Sequence, residues 1–146
     1  MLRKSIRASL FAAFGMMAVL LAFGSGATRA QDTKKADEKL PEIAEIMKKG
    51  HAKTDGYIAK TKEAAKAGKW EDATKYAKDL NLLGVALGKN KPPKGDEKSW
   101  KAMTDKYVAS TKAAVEGAEK KDEKAVNTAL GAIGMSCGGC HKAHKP

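Results

Sequence analysis

Apolar residues recur at every third or fourth position in four successive stretches of this 146-residue chain. This spacing follows the 3.6-residue period of the α-helix, and no stretch shows the strict alternation that indicates a β-strand. The chain is therefore predicted to be all-α. The four stretches cover residues 40–65, 70–87, 100–118 and 126–140.

Residues that start or stop helices separate these stretches. Proline suits a first helical turn, aspartate and serine cap helix N-termini, and glycine can close a helix. The boundary residues are Pro41 and Gly68 for the first helix, Pro92 and Pro93 in the loop before the third, Asp96 or Ser99 at the start of the third, and Asp122 at the start of the fourth. Short connections make the helices that they join antiparallel, which predicts an antiparallel four-helix bundle with an alanine-rich core.

The first 30 residues have the composition of a secretory signal peptide. Three basic residues (Arg3, Lys4 and Arg7) precede an apolar run over 8–23, and small residues follow up to Ala30. The alternative is an uncleaved membrane anchor, but the run falls short of the roughly 20 apolar residues that a span requires. We therefore predict export to the periplasm, with cleavage after Ala30 or after Ala27. Taking the first position, we predict a disordered lead-in over 31–39 and one domain over 40–146 without a stable membrane span.

Near the C-terminus, Cys137-Gly138-Gly139-Cys140-His141 has the C-x-x-C-H spacing that attaches a c-type haem covalently. Each thiol adds to one haem vinyl group, so both sulfurs must meet the same edge of the porphyrin. On a helix, Cys137 and Cys140 share a face and His141 lies one turn after Cys137, where its imidazole can bind the iron. The motif predicts one haem c near the end of the last helix, bound by the two cysteines, with His141 as the proximal ligand. Export agrees with this prediction, because c-type haem is generally attached outside the cytoplasm.

A C-x-x-C pair also occurs in redox dithiols, zinc sites and disulfides. A thioredoxin-like dithiol belongs to a βαβ context, which the helical pattern does not provide. A zinc site needs four ligands, and besides the cysteines the sequence offers only His51, His141 and His144. A disulfide across three residues of a helix would be strained. A haem-free helical module with zinc or dithiol chemistry is therefore the alternative to covalent haem.

The C-terminal motif on the last helix of an exported bundle of this size resembles the class II c-type cytochromes, the cytochrome c-prime family. The resemblance covers residues 40–145, and Trp100 with Tyr107 is similar to the aromatic pair on the family's third helix. The family often has an aromatic residue and then an arginine after the motif, where this chain has His144 and Lys145. Lysine cannot form the bidentate contact that an arginine makes with a haem propionate. We expect His144 to be exposed.

The second axial ligand of the iron decides what such a protein does. In a bundle of alternating direction, the end of the fourth helix lies beside the start of the first, so Met47 can reach the distal face. His51, one turn later, is a rival ligand, and an open distal site is the third option. The resemblance implies that a methionine early in the first helix makes a low-spin electron carrier. A noncoordinating residue there implies five-coordinate iron that binds nitric oxide or carbon monoxide.

The charge of the chain bears on its partners. The leader holds four of the 28 basic residues and none of the 17 acidic ones, so the remaining chain has a net charge of +7. Its lysines are spaced as on a solvated helix surface and not as in a nucleic-acid site, which favours arginine clusters with aromatics. The sequence contains no paired carboxylates, nucleophile elbow or phosphate loop. We therefore predict an electron carrier, not an enzyme, that binds no nucleic acid. Its partners are predicted to be redox proteins, and a basic face would steer acidic ones towards it. Some members of the family form homodimers, so the resemblance also implies a homodimer here.

Overall fold

The computed structural model describes residues 39–146, which form five α-helices and no β-strand. These helices are α1 (Ile43–His51), α2 (Tyr57–Lys66), α3 (Trp70–Lys89), α4 (Glu97–Glu119) and α5 (Glu123–His144). The all-α prediction is confirmed. The predicted signal peptide (1–30) and nearly all of the predicted lead-in (31–39) lie outside the described residues. None of the described helices combines the length and the apolar content that a membrane crossing requires.

The helices pack mainly against their neighbours in the chain. α3 lies along α4 and α4 lies along α5, while α2 packs on α3 and makes a smaller contact with α5. α1 packs on α2 and α3 and scarcely touches α5. Alanines make up much of the core, which lets helices approach closely but buries little apolar area per residue. The largest fully buried apolar side chains are those of Ile46, Leu80, Val126 and Ile133.

The predicted first helix is in fact two helices, which corrects the boundary taken from the sequence. Ala52 leaves the helical region with φ −57° and ψ 140°, and the chain turns before α2 begins. At Gly56, a Cβ would lie 2.5 Å from the Ala52 nitrogen and 2.6 Å from its oxygen, so only glycine fits there. Asp55-Gly56 is a turn signal that the helical spacing on either side concealed.

The predicted boundary residues Asp96, Asp122 and Gly68 are confirmed, whereas Pro41 lies outside α1, two residues before it begins. The Asp96 carboxylate accepts hydrogen bonds from the backbone N–H groups of Lys98 (3.3 Å) and Ser99 (2.7 Å). The Asp122 carboxylate accepts one from Ala125 (2.9 Å). Gly68 follows α2 with φ +69°. These side chains satisfy N–H groups that the helix itself leaves without partners.

Gly68→Ala and Gly131→Ala should change the stability in opposite directions. A Cβ at either position meets no atom within 4 Å, so neither variant creates a clash. The left-handed conformation at Gly68 costs an alanine about 1–2 kcal/mol, whereas alanine inside a helix such as α5 is favoured over glycine by up to about 1 kcal/mol. Urea denaturation measures both changes in the free energy of unfolding. A loss of stability in both variants would contradict the helical assignment at Gly131.

Candidate functional site

The last turns of α5 carry the C-x-x-C-H motif. Cys137 and Cys140 are free thiols and both are partly buried, while His141 is exposed. The Cys137 sulfur lies 3.4 Å from the carbonyl oxygen of Ile133, and Cys140 packs against the apolar core. The helix therefore presents both thiols at the edge of the core and places the imidazole beside them at the solvent boundary.

Among residues 39–146, the space beside this motif is open. A Cβ on Gly134, Gly138 or Gly139 would meet none of their atoms within 4 Å outside the helix's own backbone, and the neighbouring Met135 is 83% exposed. Two thiols about one turn apart, an adjacent imidazole and an unobstructed flank are the donor set and the room that covalent haem attachment needs. The residues present fit a c-type haem.

The two candidate distal ligands lie four residues apart on α1 and so share one side of that helix. Met47 is partly buried and packs against the same apolar cluster as Cys140. The buried residues of α1 are Ile46 and Gly50, whereas the sequence spacing had placed Met47 on the buried stripe. Met47 therefore borders the core without being locked inside it, which leaves its thioether free to serve as a ligand.

His51 is held by Tyr107. The His51 Nε2 atom lies 2.9 Å from the Tyr107 hydroxyl oxygen, and the two ring centroids are 5.6 Å apart. The hydrogen bond occupies one of the two ring nitrogens that could bind a metal. The structure thus gives His51 a hydrogen-bond partner within the protein, whereas Met47 packs against the apolar cluster.

Tyr107 contacts two neighbouring helices, whereas in the sequence it was noted only for its similarity to an aromatic residue of the cytochrome c-prime family. Its ring lies on Gly84, where a Cβ would come within 2.9 Å of the Tyr107 Cε1 atom. Its hydroxyl lies beside α1, 3.9 Å from the position of a Cβ on Gly50. Tyr107 therefore extends from α4 across α3 to α1. One sequence signal could have indicated the contact between Tyr107 and Gly84. It is the glycine on the buried stripe of α3, which suits an aromatic residue on the next helix.

Electrostatic effects link the side chains of the site. Burial lowers the pKa of His51 below its usual value of 6.5, and the positive charge of His141 lowers that pKa further. Burial raises the pKa of Tyr107, and the negative charge of a Cys137 thiolate is the second cause. The pKa of Cys140 is raised for the same two reasons. These five residues therefore lie in one electrostatic neighbourhood, in which His51 and Tyr107 are uncharged at neutral pH.

His144 is buried with only 2% of its surface exposed, which corrects the prediction that it is exposed. Its Nδ1 atom lies 2.9 Å from the Lys94 carbonyl oxygen, and its Nε2 atom lies 3.2 Å from the Ser99 hydroxyl. Its ring meets Trp100 edge-on with centroids 5.3 Å apart. The reason is the helical period, because His144 lies seven residues after Cys137 and so continues the buried side of α5 into its last turn.

Lysines outnumber acidic residues strongly at one end of the helical domain. Three hydrogen bonds bring residues 39–53, 89–99 and 141–146 to this end. Asn90 Nδ2 donates to the Pro41 carbonyl (3.2 Å), Trp100 Nε1 donates to the Asn90 carbonyl (2.8 Å), and His144 Nδ1 donates to the Lys94 carbonyl. We call it the site end. It holds ten lysines and four acidic residues, whereas residues 55–79 and 112–128 towards the opposite end hold ten lysines and nine acidic residues. The described residues contain no arginine.

Comparison with family models, with curated proteins and with solved structures finds no match to this chain. The candidate function therefore depends on the motif and its surroundings. The structure confirms that the motif lies on a helix, and it places Met47 against the apolar core that Cys140 also contacts. The contacts of Tyr107 and His144 were not predicted.

The stability of the haem-free chain should fall as the pH is lowered through the titration of His51. His51 binds its proton less tightly in the folded state than in the unfolded state, where its pKa is near 6.5. The stabilising contribution of neutral His51 is complete above that value and is lost as the pH falls through the lowered pKa. Urea denaturation of Cys137→Ser/Cys140→Ser protein between about pH 7.5 and about pH 5.5 measures the loss. His51→Gln should reduce it, and an unchanged pH dependence in that variant would contradict the assignment.

Proposed function

We propose that this protein is an exported, periplasmic monohaem c-type cytochrome of the class II type that carries electrons. The observation that supports it is the pair of free, partly buried thiols of Cys137 and Cys140 beside the imidazole of His141 on the last turns of α5. When bound, the haem supplies a one-electron couple between ferrous and ferric iron. The chain supplies two thioether attachments, a proximal nitrogen ligand and an apolar border that limits the access of water. Such a protein acts on no substrate and needs no catalytic residue.

The proposed frame is an antiparallel four-helix bundle in which α1 and α2 together take the place of the first helix. Paired contacts along α4 and α5 support opposite directions for these helices, since Gly117 lies beside Val126 and Trp100 lies beside His144. Contacts along α3 and α4 do the same, since Asn81 bonds Thr111 and Asn90 bonds Trp100. In this frame the motif and α1 lie in the same half of the bundle, as a haem with two axial ligands requires.

We propose Met47 as the distal ligand. It is partly buried, borders the same apolar cluster as Cys140, and its thioether is only a weak hydrogen-bond acceptor. His51 already has Tyr107 as a partner, so its use as a ligand would break a hydrogen bond if it bound through Nε2. A thioether is a soft, neutral ligand, and it raises the reduction potential relative to a second histidine by favouring ferrous iron.

We propose that the redox partner presents an acidic protein surface to the site end. The excess of lysines at that end lies around the motif and α1. Because lysine is a compact, strongly hydrated point charge, it gives weaker and less geometrically restrictive contacts than arginine. Such contacts speed the encounter more than they stabilise the complex, which suits a carrier that must also leave its partner. The homodimer that the resemblance implies stays a prediction, and sedimentation of the haem-loaded protein measures it.

Protein matured with a c-type haem assembly system should gain the mass of one haem and keep it through acid–acetone extraction. The physical reason is that thioether bonds to Cys137 and Cys140 survive a solvent that removes noncovalent haem. Cys137→Ala/Cys140→Ala should lose all haem in the same solvent, and Ser136→Ala, next to the motif, should keep it. Mass spectrometry and the absorption of the extracted protein provide the measurement. Complete extraction of haem from the unaltered protein would exclude covalent attachment and leave the zinc or dithiol alternative.

Met47→Ala should convert the iron from low-spin to high-spin and accelerate carbon monoxide binding to the ferrous form. The reason is that the gas no longer has to displace a sulfur ligand. His51→Ala is the matched variant one turn away, and it should leave the iron low-spin. Absorption spectra and stopped-flow mixing with carbon monoxide measure both changes. If His51→Ala alone produces the change, the histidine is the ligand, and if the unaltered protein is already high-spin, the gas-binding function replaces the electron-carrier function.

Two charge variants with the same net charge should differ in electron transfer to a carboxylate-coated electrode. Each replaces three exposed lysines by glutamine, either at the site end or towards the opposite end. The site-end variant is Lys91→Gln/Lys94→Gln/Lys145→Gln, and the control is Lys62→Gln/Lys66→Gln/Lys124→Gln. At low ionic strength the site-end variant should lose roughly threefold to tenfold in rate, and the loss should vanish at high salt because exposed charges are screened. Equal losses in the two variants would show that only net charge matters.

A further inference from the structure

The helix with the haem motif and the helix with the candidate distal ligands are held together indirectly. α1 scarcely touches α5 and packs instead on α2 and α3. The distance between His141 on α5 and Met47 on α1 must nevertheless be set closely, because both axial ligands have to reach one iron. Contacts outside these two helices must therefore fix their spacing.

The first part of this indirect connection is His144. A carbonyl oxygen can only accept, so His144 Nδ1 donates its proton to the Lys94 carbonyl. In the neutral ring, Nε2 then accepts a hydrogen bond from the Ser99 hydroxyl. Gly95 permits this close approach, since it has φ +82° and a Cβ there would lie 2.7 Å from the Ala143 carbonyl oxygen. The last turn of α5 is thereby bound to the loop before α4 and to the first turn of α4.

The second part runs from α4 to the segment before α1. Trp100, whose ring packs against His144, donates its Nε1 hydrogen to the Asn90 carbonyl at 2.8 Å. The Asn90 side chain then donates to the Pro41 carbonyl at 3.2 Å and to the Ala86 carbonyl at 2.9 Å. Pro41 lies two residues before α1 begins. A continuous series of contacts therefore joins the end of α5 to the start of α1. We call it the end network, and its members are Pro41, Asn90, Lys94, Ser99, Trp100 and His144.

We propose that His144 and Asn90 are positioning residues that set the spacing between α5 and α1, and thereby hold the distal ligand at the iron. Neither residue touches the iron in this proposal, which rests on the proposed cytochrome function. Both residues act by orienting backbone: His144 fixes the turn that follows His141, and Asn90 fixes the entry into the helix that carries Met47. A buried hydrogen-bond network of this kind favours one orientation of the helices, because any other orientation would leave its buried polar groups without partners.

His144→Phe tests the proposal, because phenylalanine keeps a ring against Trp100 but makes neither hydrogen bond. Asn90→Ala removes the other end of the network. In the haem-loaded protein, each variant should keep its covalent haem but show a larger high-spin fraction and carbon monoxide binding faster by about tenfold or more. Each variant loses two hydrogen bonds, and the loss of one shifts an equilibrium by up to about tenfold. His144→Asn, whose amide can donate to the Lys94 carbonyl, should restore part of the low-spin signal.

The matched control is Asp122→Ala, which removes the cap at the far end of α5 and lowers stability without touching the end network. It should leave the spin state and the carbon monoxide rate unchanged. Equal spectroscopic changes in Asp122→Ala and His144→Phe would overturn the proposal, because general loss of stability would then explain both. If His144→Phe does not fold, Ser99→Ala removes a single hydroxyl from the same network and takes its place.

A measurement without haem separates this proposal from the cytochrome function itself. Amide hydrogen exchange of the Cys137→Ser/Cys140→Ser chain reports local opening of α1 directly. Adding His144→Phe should speed exchange in α1 by up to about tenfold, although the substitution is on α5, and adding Asp122→Ala should not. Faster exchange confined to the last turn of α5 and the loop before α4 would overturn the proposed coupling. Failure of haem attachment, in contrast, would overturn the cytochrome function and leave this result intact.

Discussion

The contact between the Tyr107 ring and Gly84 determines how closely three helices approach one another. Because Gly84 faces the ring, the Tyr107 side chain fits between α3 and α4 at a point where a Cβ would lie 2.9 Å from the ring. The same ring carries its hydroxyl to α1, where it meets His51 at 2.9 Å. The candidate distal side of the site is thus attached to the core of the domain through one buried tyrosine. A hydroxyl buried this deeply needs a partner, and His51 supplies it.

The alanine-rich core explains why a haem would matter for this fold. Alanines such as Ala73, Ala77 and Ala114 are fully buried but contribute little apolar area each. A bound haem would add a large apolar surface beside Cys140 and Met47, and any ligand that binds only the folded state stabilises that state by mass action. In the proposed function, the attachment of haem and the stability of the bundle are therefore coupled.

The charge distribution follows from how the chain is folded together and not from any single segment. All five helices carry lysines, but seven of the 14 acidic residues in the described part of the chain lie in the first half of α3 and around the connection between α4 and α5. Folding brings the remaining lysine-rich segments to the site end, where Pro41, Asn90 and His144 meet. The domain therefore presents a basic face at the end where electron transfer is proposed.

The sequence by itself determined the all-helical fold, the caps at Asp96 and Asp122, and the placement of Cys137, Cys140 and His141 on one helix, because helical periodicity, capping and motif spacing are local properties. It did not reveal the break between α1 and α2, because the helical spacing of the residues on both sides concealed the Asp55-Gly56 turn signal. Only the tertiary structure showed that His144 is buried, since its partners Lys94 and Ser99 are about 50 residues away in the chain. The same holds for His51 and Tyr107, which are 56 residues apart. Hydrogen bonds between such distant residues depend on how whole helices pack, and no local pattern encodes that packing.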